Sequence, residues 1–390
     1  MNTTICNICG HYDFFRIGEE MFKEITTSSE SMEFLVCLVC CKKCGLVFQN
    51  PMQDERKLEL YYLTMFREEG CRTVQYQESE IMHRVDFLTG FTNPEIQQSV
   101  LEIGCADGTT LVNFKKRGLT VLGIEPSQKN AEICKKKDLE IYNCTYSNIS
   151  TDFKKVNFIC SYYTMEHLTS PVNFLLFCNK LLSDNGIICI EIPDIQTYKN
   201  ETTTYDLLFF FEHQYHFTKE TVKILLERCG FELLTFSDRT THDFGMHFAA
   251  RKVSEPILPK NLHIPKEIFD NVMRDVTEYR NHYTKKVELL KKTLQDIFTD
   301  GKYEKKIVLC PASLGTKMLL ELPEVNIKSV KFIVDNNPEK WEKTMYGIPI
   351  YSPKMLDSTV EIILINSSFS REIKEQLLSS GINENKIIIV

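Results

Sequence analysis

Apolar runs of about five residues recur between positions 95 and 253, with helical stretches between them. Ser99-Val100-Leu101-Glu102-Ile103, Thr120-Val121-Leu122-Gly123-Ile124, Val156-Asn157-Phe158-Ile159-Cys160 and Gly186-Ile187-Ile188-Cys189-Ile190 read as buried strands. Strands separated by helices pair in parallel through crossover connections, so this region predicts a doubly wound α/β sheet. The pattern then changes. Pro256, Pro259 and Pro265 mark a linker, and residues 266 to about 298 contain no Pro and carry Ile268, Val272, Val276 and Tyr279 at helical spacing, which predicts one long helix. A strand returns at Lys306-Ile307-Val308-Leu309-Cys310, followed by the turn Pro311-Ala312-Ser313-Leu314-Gly315 and a helix. Further strands fall at Val330-Lys331-Phe332-Ile333-Val334, Glu361-Ile362-Ile363-Leu364-Ile365 and Lys386-Ile387-Ile388-Ile389-Val390. This is a second, smaller α/β unit of Rossmann-like pattern.

The front of the chain differs from both, because it is marked by spaced cysteines and closes at Asn50-Pro51. Four regions result: a cysteine module over 1–60, a first α/β domain over 61–253, a linker and long helix over 254–300, and a second α/β domain over 301–390.

A length of 390 residues accommodates two or three cores. With 43% hydrophobic and 25% charged residues, no run near twenty apolar residues and no basic start leading into an apolar stretch, the expectation is a cytoplasmic chain without a membrane span. A net charge of -7 argues against a broad nucleic-acid surface, which needs clustered Lys and Arg. It leaves room for a small-molecule substrate, phosphorylated or not. Oligomeric state is not legible, and a monomer is the default.

Most of the fifteen cysteines lie in apolar segments, where a thiol packs as a small hydrophobe. Cys6 and Cys9 in "CNIC" and Cys41 and Cys44 in "CKKC" are different: each pair is followed by glycine, Gly10 and Gly45. Two such turns suit four thiolates around one tetrahedral Zn2+ in a closed, structural site. The 31 residues between the pairs must then fold back as a β-hairpin through Phe34 to Cys40. Cys37 and Cys40 share the spacing but lack the following glycine, so the outer pair is preferred. A redox pair would open a helix, whereas "CKKCGLVFQNP" runs into a strand. Removing the metal should destabilise the front end without altering the chemistry.

The stretch "VLEIGCADGTTL" reads strand, turn, helix, with Gly104 and Gly108 letting backbone approach a ligand. A dinucleotide fingerprint would place glycines at 104, 106 and 109, but 106 and 109 are Ala and Thr. Instead, Glu102 precedes the turn and Glu125 follows the next strand in "GIEPS". A carboxylate at the latter position can accept from two ribose hydroxyls, and one near the first turn suits a cationic ligand. S-adenosylmethionine, with no phosphate, an amino group and a sulfonium, has that chemistry.

Through "LEIGCADG", "GIEPS", "SYYTMEHLTSP", "LLSDNGIICIEIPD" and "CGFELL", in this order, the sequence resembles the class I methyltransferases dependent on S-adenosylmethionine. That resemblance implies a Rossmann-like core and a cofactor site drawn from Glu102, Gly104, Ala106, Gly108, Glu125, Pro126 and Glu166. Asn143, Thr145 and Ser147 follow the third strand, where such enzymes contact adenine. With its four-cysteine front and second α/β tail, the whole chain resembles the sugar C-methyltransferases, which act on nucleotide-linked ketosugars. In that family the segment matching "FFEHQYHFT" supplies an acid and a base, here Glu212 and His213, and His167 of "MEHL" matches its other site histidine. Tyr215 completes the candidate catalytic set. Where the family has a tyrosine two residues before the glutamate, this chain has Phe210. Tyr205, Tyr215, Tyr61 or Tyr62 could substitute, or the acceptor could be an oxygen or nitrogen nucleophile. A non-catalytic zinc-containing binding protein is the remaining alternative. "THDFGMHFAARK" resembles the family's closing hairpin, with His242 and His247 in a pocket or on the surface. In the tail, Ser313, Gly315 and Asp335 stand where a second nucleotide-like ligand could bind.

Overall fold

The computed structural model describes residues 5–25, 31–54, 56–58, 78–149, 153–201, 206–237, 239–253, 255–299, 301–367 and 369–390. The chain divides into two compact units, 1–198 with 208–277, and 199–207 with 278–390. Both are α/β, as the alternation of apolar runs predicts.

The first unit contains a seven-stranded sheet in the order β10-β11-β8-β7-β4-β5-β6. Its strands are β4 (Ser99–Ile103), β5 (Thr120–Ile124), β6 (Ile141–Tyr142), β7 (Val156–Tyr162), β8 (Leu182–Pro193), β10 (Phe231–Phe236) and β11 (Gly245–Lys252). β6, β5, β4, β7 and β8 pair in parallel, and β11 runs antiparallel to β8 with β10 antiparallel on its edge. Val100, Leu101, Ile159, Ile188 and Ile190 are fully buried, which is why these strands read as continuous apolar runs rather than alternating ones. The order reverses at β4, and in such sheets ligands bind beyond the carboxyl ends of the strands at that reversal.

The cysteine module belongs to the same unit. β1 (Phe14–Ile25) and β2 (Ser31–Cys41) form the expected hairpin, with Phe14 opposite Cys41. β3 (Val47–Gln49) continues the sheet, and its far edge pairs with β9 (Tyr215–His216), from the loop after β8. The module thus shares a sheet with the segment that carries the candidate acid and base. No local pattern announced this pairing.

The long helix occupies Ile268–Phe298, close to the predicted span. Its residues up to Thr277 belong to the first unit, and those from Glu278 belong to the second. In the second unit a six-stranded sheet has the order β14-β15-β13-β12-β16-β17, comprising β12 (Ile307–Cys310), β13 (Val330–Val334), β14 (Thr344–Met345), β15 (Ile348–Tyr351), β16 (Ile362–Ile365) and β17 (Ile387–Ile389). Leu290, Leu294, Ile297 and Phe298 pack there against Ile307 and Leu309.

Candidate active site

In the turn after β4 the backbone approaches its neighbours closely. Gly104 has φ +78°, and a Cβ there would lie 2.6 Å from Thr164 Oγ1, so only glycine lets the β4 and β7 loops touch. Ala106 holds a left-handed conformation with φ +47°, uncommon for alanine, and donates its N–H to Glu125 Oε2 at 2.8 Å. The other Glu125 oxygen accepts from Ser127 N at 2.8 Å. Burial raises the Glu125 carboxyl, and these two N–H groups oppose the rise by favouring the charged form. Asn143 caps the arrangement from the β6 side by donating to the Glu125 carbonyl at 2.8 Å, whereas Thr145 and Ser147 bond to each other at 2.9 Å. Glu102 is 3% exposed, and its Oε2 has no hydrogen-bond partner among the described residues. Burial pushes its carboxyl well up, against the pull of the Arg84 guanidinium. A cationic amino group would answer such an orphaned acceptor. Pro126 follows Glu125, and Ser127 then caps the helix Gln128–Lys136.

Next to this turn, beyond the end of β7, Met165–His167 form a short 3-10 turn. The loop before β9 docks onto it: Gln214 N donates to the Glu166 carbonyl at 2.8 Å, and His167 Nδ1 lies 3.0 Å from the Glu212 carbonyl. A carbonyl only accepts, so Nδ1 carries a hydrogen, and in the neutral ring Nε2 then presents the lone pair. His167 and His213 rings are 5.1 Å apart, and Phe210 meets His213 edge-on at 5.2 Å. Glu166 is 1% exposed, and burial pushes its carboxyl up to about 8. The structure therefore brings together His167, Glu166, Glu212 and His213 beside the glycine turn.

Tyr215 has another task. Its hydroxyl donates to the Thr169 carbonyl at 2.9 Å, and its ring stacks on Phe48 and Phe217, so it fixes β9 instead of facing a reacting atom. Tyr61, Tyr62 and Tyr205 lie outside the described residues. His242 is half-buried, and His247 is not a surface residue. His247 is fully buried, with its ring 4.1 Å from that of Phe87, and burial lowers both imidazoles, His242 to about 4.

The cysteines converge as their spacing requires. Cys6, Cys9, Cys41 and Cys44 are all buried with their sulfurs within 4.8 Å of one another, and Cys6–Cys44 and Cys9–Cys41 each measure 3.5 Å. A tetrahedron with bonds of about 2.3 Å has edges of about 3.8 Å, whereas a disulfide needs about 2.05 Å, so the cluster has the size of a metal cage. Gly45 has φ +72°, and a Cβ there would strike Val272 at 2.9 Å. Cys40 instead turns its thiol toward the Gly45 carbonyl at 3.6 Å, away from the cluster.

Sequence reasoning missed two supports. Gln49, fully buried at the end of β3, donates through Nε2 to the carbonyls of Phe211 and His213 at 2.9 and 2.8 Å. Arg84, in the helix Glu78–Thr89, pairs with Glu191 at 3.1 Å, and both are buried. Both left a signal: Gln49 closes the apolar run Leu46-Val47-Phe48 with a polar side chain, and Arg84 shares the buried face of its helix with Ile81, Val85 and Leu88.

In the tail, Asp335 accepts from Ala312 N at 3.0 Å, Asn337 N at 2.8 Å and Lys340 Nζ at 3.1 Å. Ser313 caps its helix by accepting from Thr316 N, and a Cβ on Gly315 would lie 2.5 Å from the Asn366 carbonyl. These groups are largely engaged in holding their own turn.

Comparison with known proteins agrees with this geometry. Residues 73–235 match the family profile described as a methyltransferase domain, and residues 304–388 match one described as C2185-like, N-terminal. An uncharacterized protein of Rickettsia prowazekii (strain Madrid E) is 26% identical over 185 residues, 44% of this chain and 33% of that one, so the match spans a third of that relative's length. The C-methyltransferase NovU of Streptomyces niveus is 20% identical over 371 residues, 90% of this chain and 86% of the relative. Among solved structures, the Burkholderia thailandensis 1,6-didemethyltoxoflavin-N1-methyltransferase superposes with a TM-score of 0.43 at 13% identity, covering 54% of this chain and 96% of that one. No helix among the described residues is long and apolar enough to cross a membrane. With a glycine turn at the sheet's reversal, two placed carboxylates and a matching profile over 73–235, the first unit carries an S-adenosylmethionine-dependent methyltransferase domain.

Proposed function

We propose that the chain moves a methyl group from S-adenosylmethionine to carbon on a nucleotide-linked ketosugar. The observation that carries this reading is the meeting of His167 with the Glu212–His213 loop beside the Gly104 turn. A carbon nucleophile must be made by removing a proton beside a carbonyl, and an imidazole placed there suits that task near neutral pH. The similarity to a C-methyltransferase along 90% of the chain supports the same assignment.

When bound, the cofactor supplies an electrophilic methyl carbon and a neutral thioether as leaving group. Glu125, already fixed by two backbone N–H groups, keeps lone pairs for the ribose hydroxyls, with Pro126 beside it. Glu102 offers its buried Oε2 to the amino group, and Gly104, Ala106 and Gly108 leave the turn open. His213 takes the proton from the sugar carbon. Bound S-adenosylmethionine would supply the methyl carbon to the electron pair left on that carbon, with the C–S electrons leaving on sulfur. Phe210 supplies no hydroxyl, so no phenol at that position would donate to the enolate oxygen, and the imidazolium that proton transfer creates on His213 is one cation available to offset its charge. Four thiolates hold one structural Zn2+ in the front module.

The test is mass spectrometry of the enzyme with labelled cofactor and a panel of nucleotide ketosugars, beside His213→Ala. A methyl group on carbon, with turnover in the variant down about 10²- to 10⁴-fold and cofactor binding kept, is the expected result. A methyl group on oxygen or nitrogen, or a variant as fast as the parent, would refute it.

A further inference from the structure

We infer that Glu166, His167 and His213 form a second metal site, which takes a divalent transition ion through two imidazoles and one carboxylate and, when filled, blocks proton transfer. One ligand atom from each of the three lies within 4.8 Å of the others, the only such group among the described residues besides the four thiols. The ligands come from two segments, the 165–167 turn and the loop before β9. These segments are tied by Gln214 N on the Glu166 carbonyl and by His167 on the Glu212 carbonyl.

Two features point to a cation here. His167 Nδ1 is taken up by the Glu212 carbonyl, and its other ring nitrogen, Nε2, lies 3.7 Å from Glu166 Oε1. The two atoms face each other at a distance too long for a hydrogen bond. An ion with bonds of about 2.1 Å to each, in tetrahedral geometry, would set them about 3.4 Å apart, a closure of a few tenths of an ångström. Second, Glu166 is 1% exposed, and neither carboxylate oxygen has a hydrogen-bond partner among the described residues. An ion bonded to one of those oxygens would satisfy a carboxylate that the protein leaves unanswered. A metal-bound histidine commonly donates its other ring N–H to a carbonyl, as His167 does.

The donor set differs from the cysteine cage. Imidazole and carboxylate favour ions such as Co2+, Ni2+, Zn2+ or Mn2+ without requiring thiolate, and three protein ligands leave positions open to water. The lone pair that would hold the ion on His213 is the one that would take the substrate's proton, so the two uses exclude each other. This second half rests on the proposed function, whereas ion binding does not.

The experiment titrates the full-length, zinc-loaded protein with Co2+, followed by calorimetry and visible absorption without substrate. One Co2+ per chain should bind beyond the thiolate-held ion, with ligand-field bands and no thiolate-to-cobalt charge transfer. Glu166→Gln and His167→Gln should each weaken it about tenfold or more. His167 is a quarter exposed, so its variant should fold even where the buried Glu166 variant does not. No second ion, a thiolate-type spectrum, or unchanged affinity in a folded variant would overturn the site. Turnover should fall in proportion to occupancy, and full turnover at saturating Co2+ would overturn the blocking role alone.

Discussion

Replacing Gln49 by Leu tests whether the cysteine module positions the candidate base. Gln49 is fully buried, and its single amide nitrogen holds two backbone carbonyls, Phe211 at 2.9 Å and His213 at 2.8 Å. Its side-chain oxygen accepts from Gln53 at 2.6 Å, and its own N–H donates to the Gln214 carbonyl at 3.0 Å. Leucine keeps the backbone bond and much of the volume but loses the amide. Each lost hydrogen bond is worth about 1 kcal/mol net, and a buried carbonyl left dry adds about 1–3 kcal/mol. Phe211 O keeps a 3.2 Å bond from Gln214, so the larger penalty falls at His213, and with the three lost bonds the sum is about 4–6 kcal/mol. Part of that cost can be relieved by moving the loop toward water. A shift of about 1 Å at a reacting group costs on the order of 10²-fold in rate. The assays are denaturant unfolding, cofactor binding by calorimetry, and single-turnover methyl transfer. Unfolding should come at lower denaturant and transfer should slow by about 10- to 100-fold, with cofactor affinity within about twofold, because Glu102, Glu125 and the Gly104 turn are untouched. A variant that loses stability yet transfers methyl at the parent rate would show that the loop is held without Gln49, and the bracing argument would fail.

Three further outcomes are expected. Cys41→Ser should abolish the single bound zinc and slow methyl transfer, whereas Cys37→Ser should keep the metal; elemental analysis decides, and equal zinc in both variants would discard the outer-pair cage. Glu125→Ala should weaken S-adenosylmethionine binding about 10- to 100-fold by calorimetry, since hydrogen bonds to a charged group are worth about 1.5–3 kcal/mol, and an unchanged affinity would move the ribose elsewhere. Burial pushes the Asp194 carboxyl up to about 7, so between pH 4 and 7 the folded state binds more protons than the unfolded state and stability falls as pH rises, by up to about 4 kcal/mol. Asp194→Asn should flatten that part of the stability curve, and an unaltered slope in the variant would show that another group titrates there.

The fold was legible because its buried parallel strands are unbroken apolar runs, and the glycine turn after β4 because its two glycines and two glutamates lie close in sequence. Val100, Leu101, Ile159 and Ile188 announce themselves by composition alone. The cysteine cage was legible for the same reason, as each half is a local motif. What stayed hidden depends on contacts between distant segments. Tyr215 looked catalytic by its neighbours in sequence, yet its hydroxyl belongs to Thr169 and its ring to Phe48. Arg84 meets its partner Glu191, 107 residues away in sequence, inside the core. Periodicity records which face of an element is buried, and says nothing about which partner that face meets.

The same limit bears on the expectation that removal of the metal leaves the chemistry unaltered, against which the strand pairing argues. As a sequence, the front module is separate from the α/β domain, and a closed four-thiolate site has no open position for substrate. In the structure Cys41 ends β2 and Cys44 lies in the turn into β3, so the cage fixes the start of the strand whose far end is Gln49. β3 then pairs Val47 with His216 and Phe48 with Tyr215, and Gln49 takes the carbonyl of His213. From sulfur to the candidate base the path is one short strand and two hydrogen-bonding patterns, without a flexible link between them. An ion held by the four thiolates would therefore act on methyl transfer without touching substrate, by setting the register of the strand against which the Glu212–His213 loop is laid.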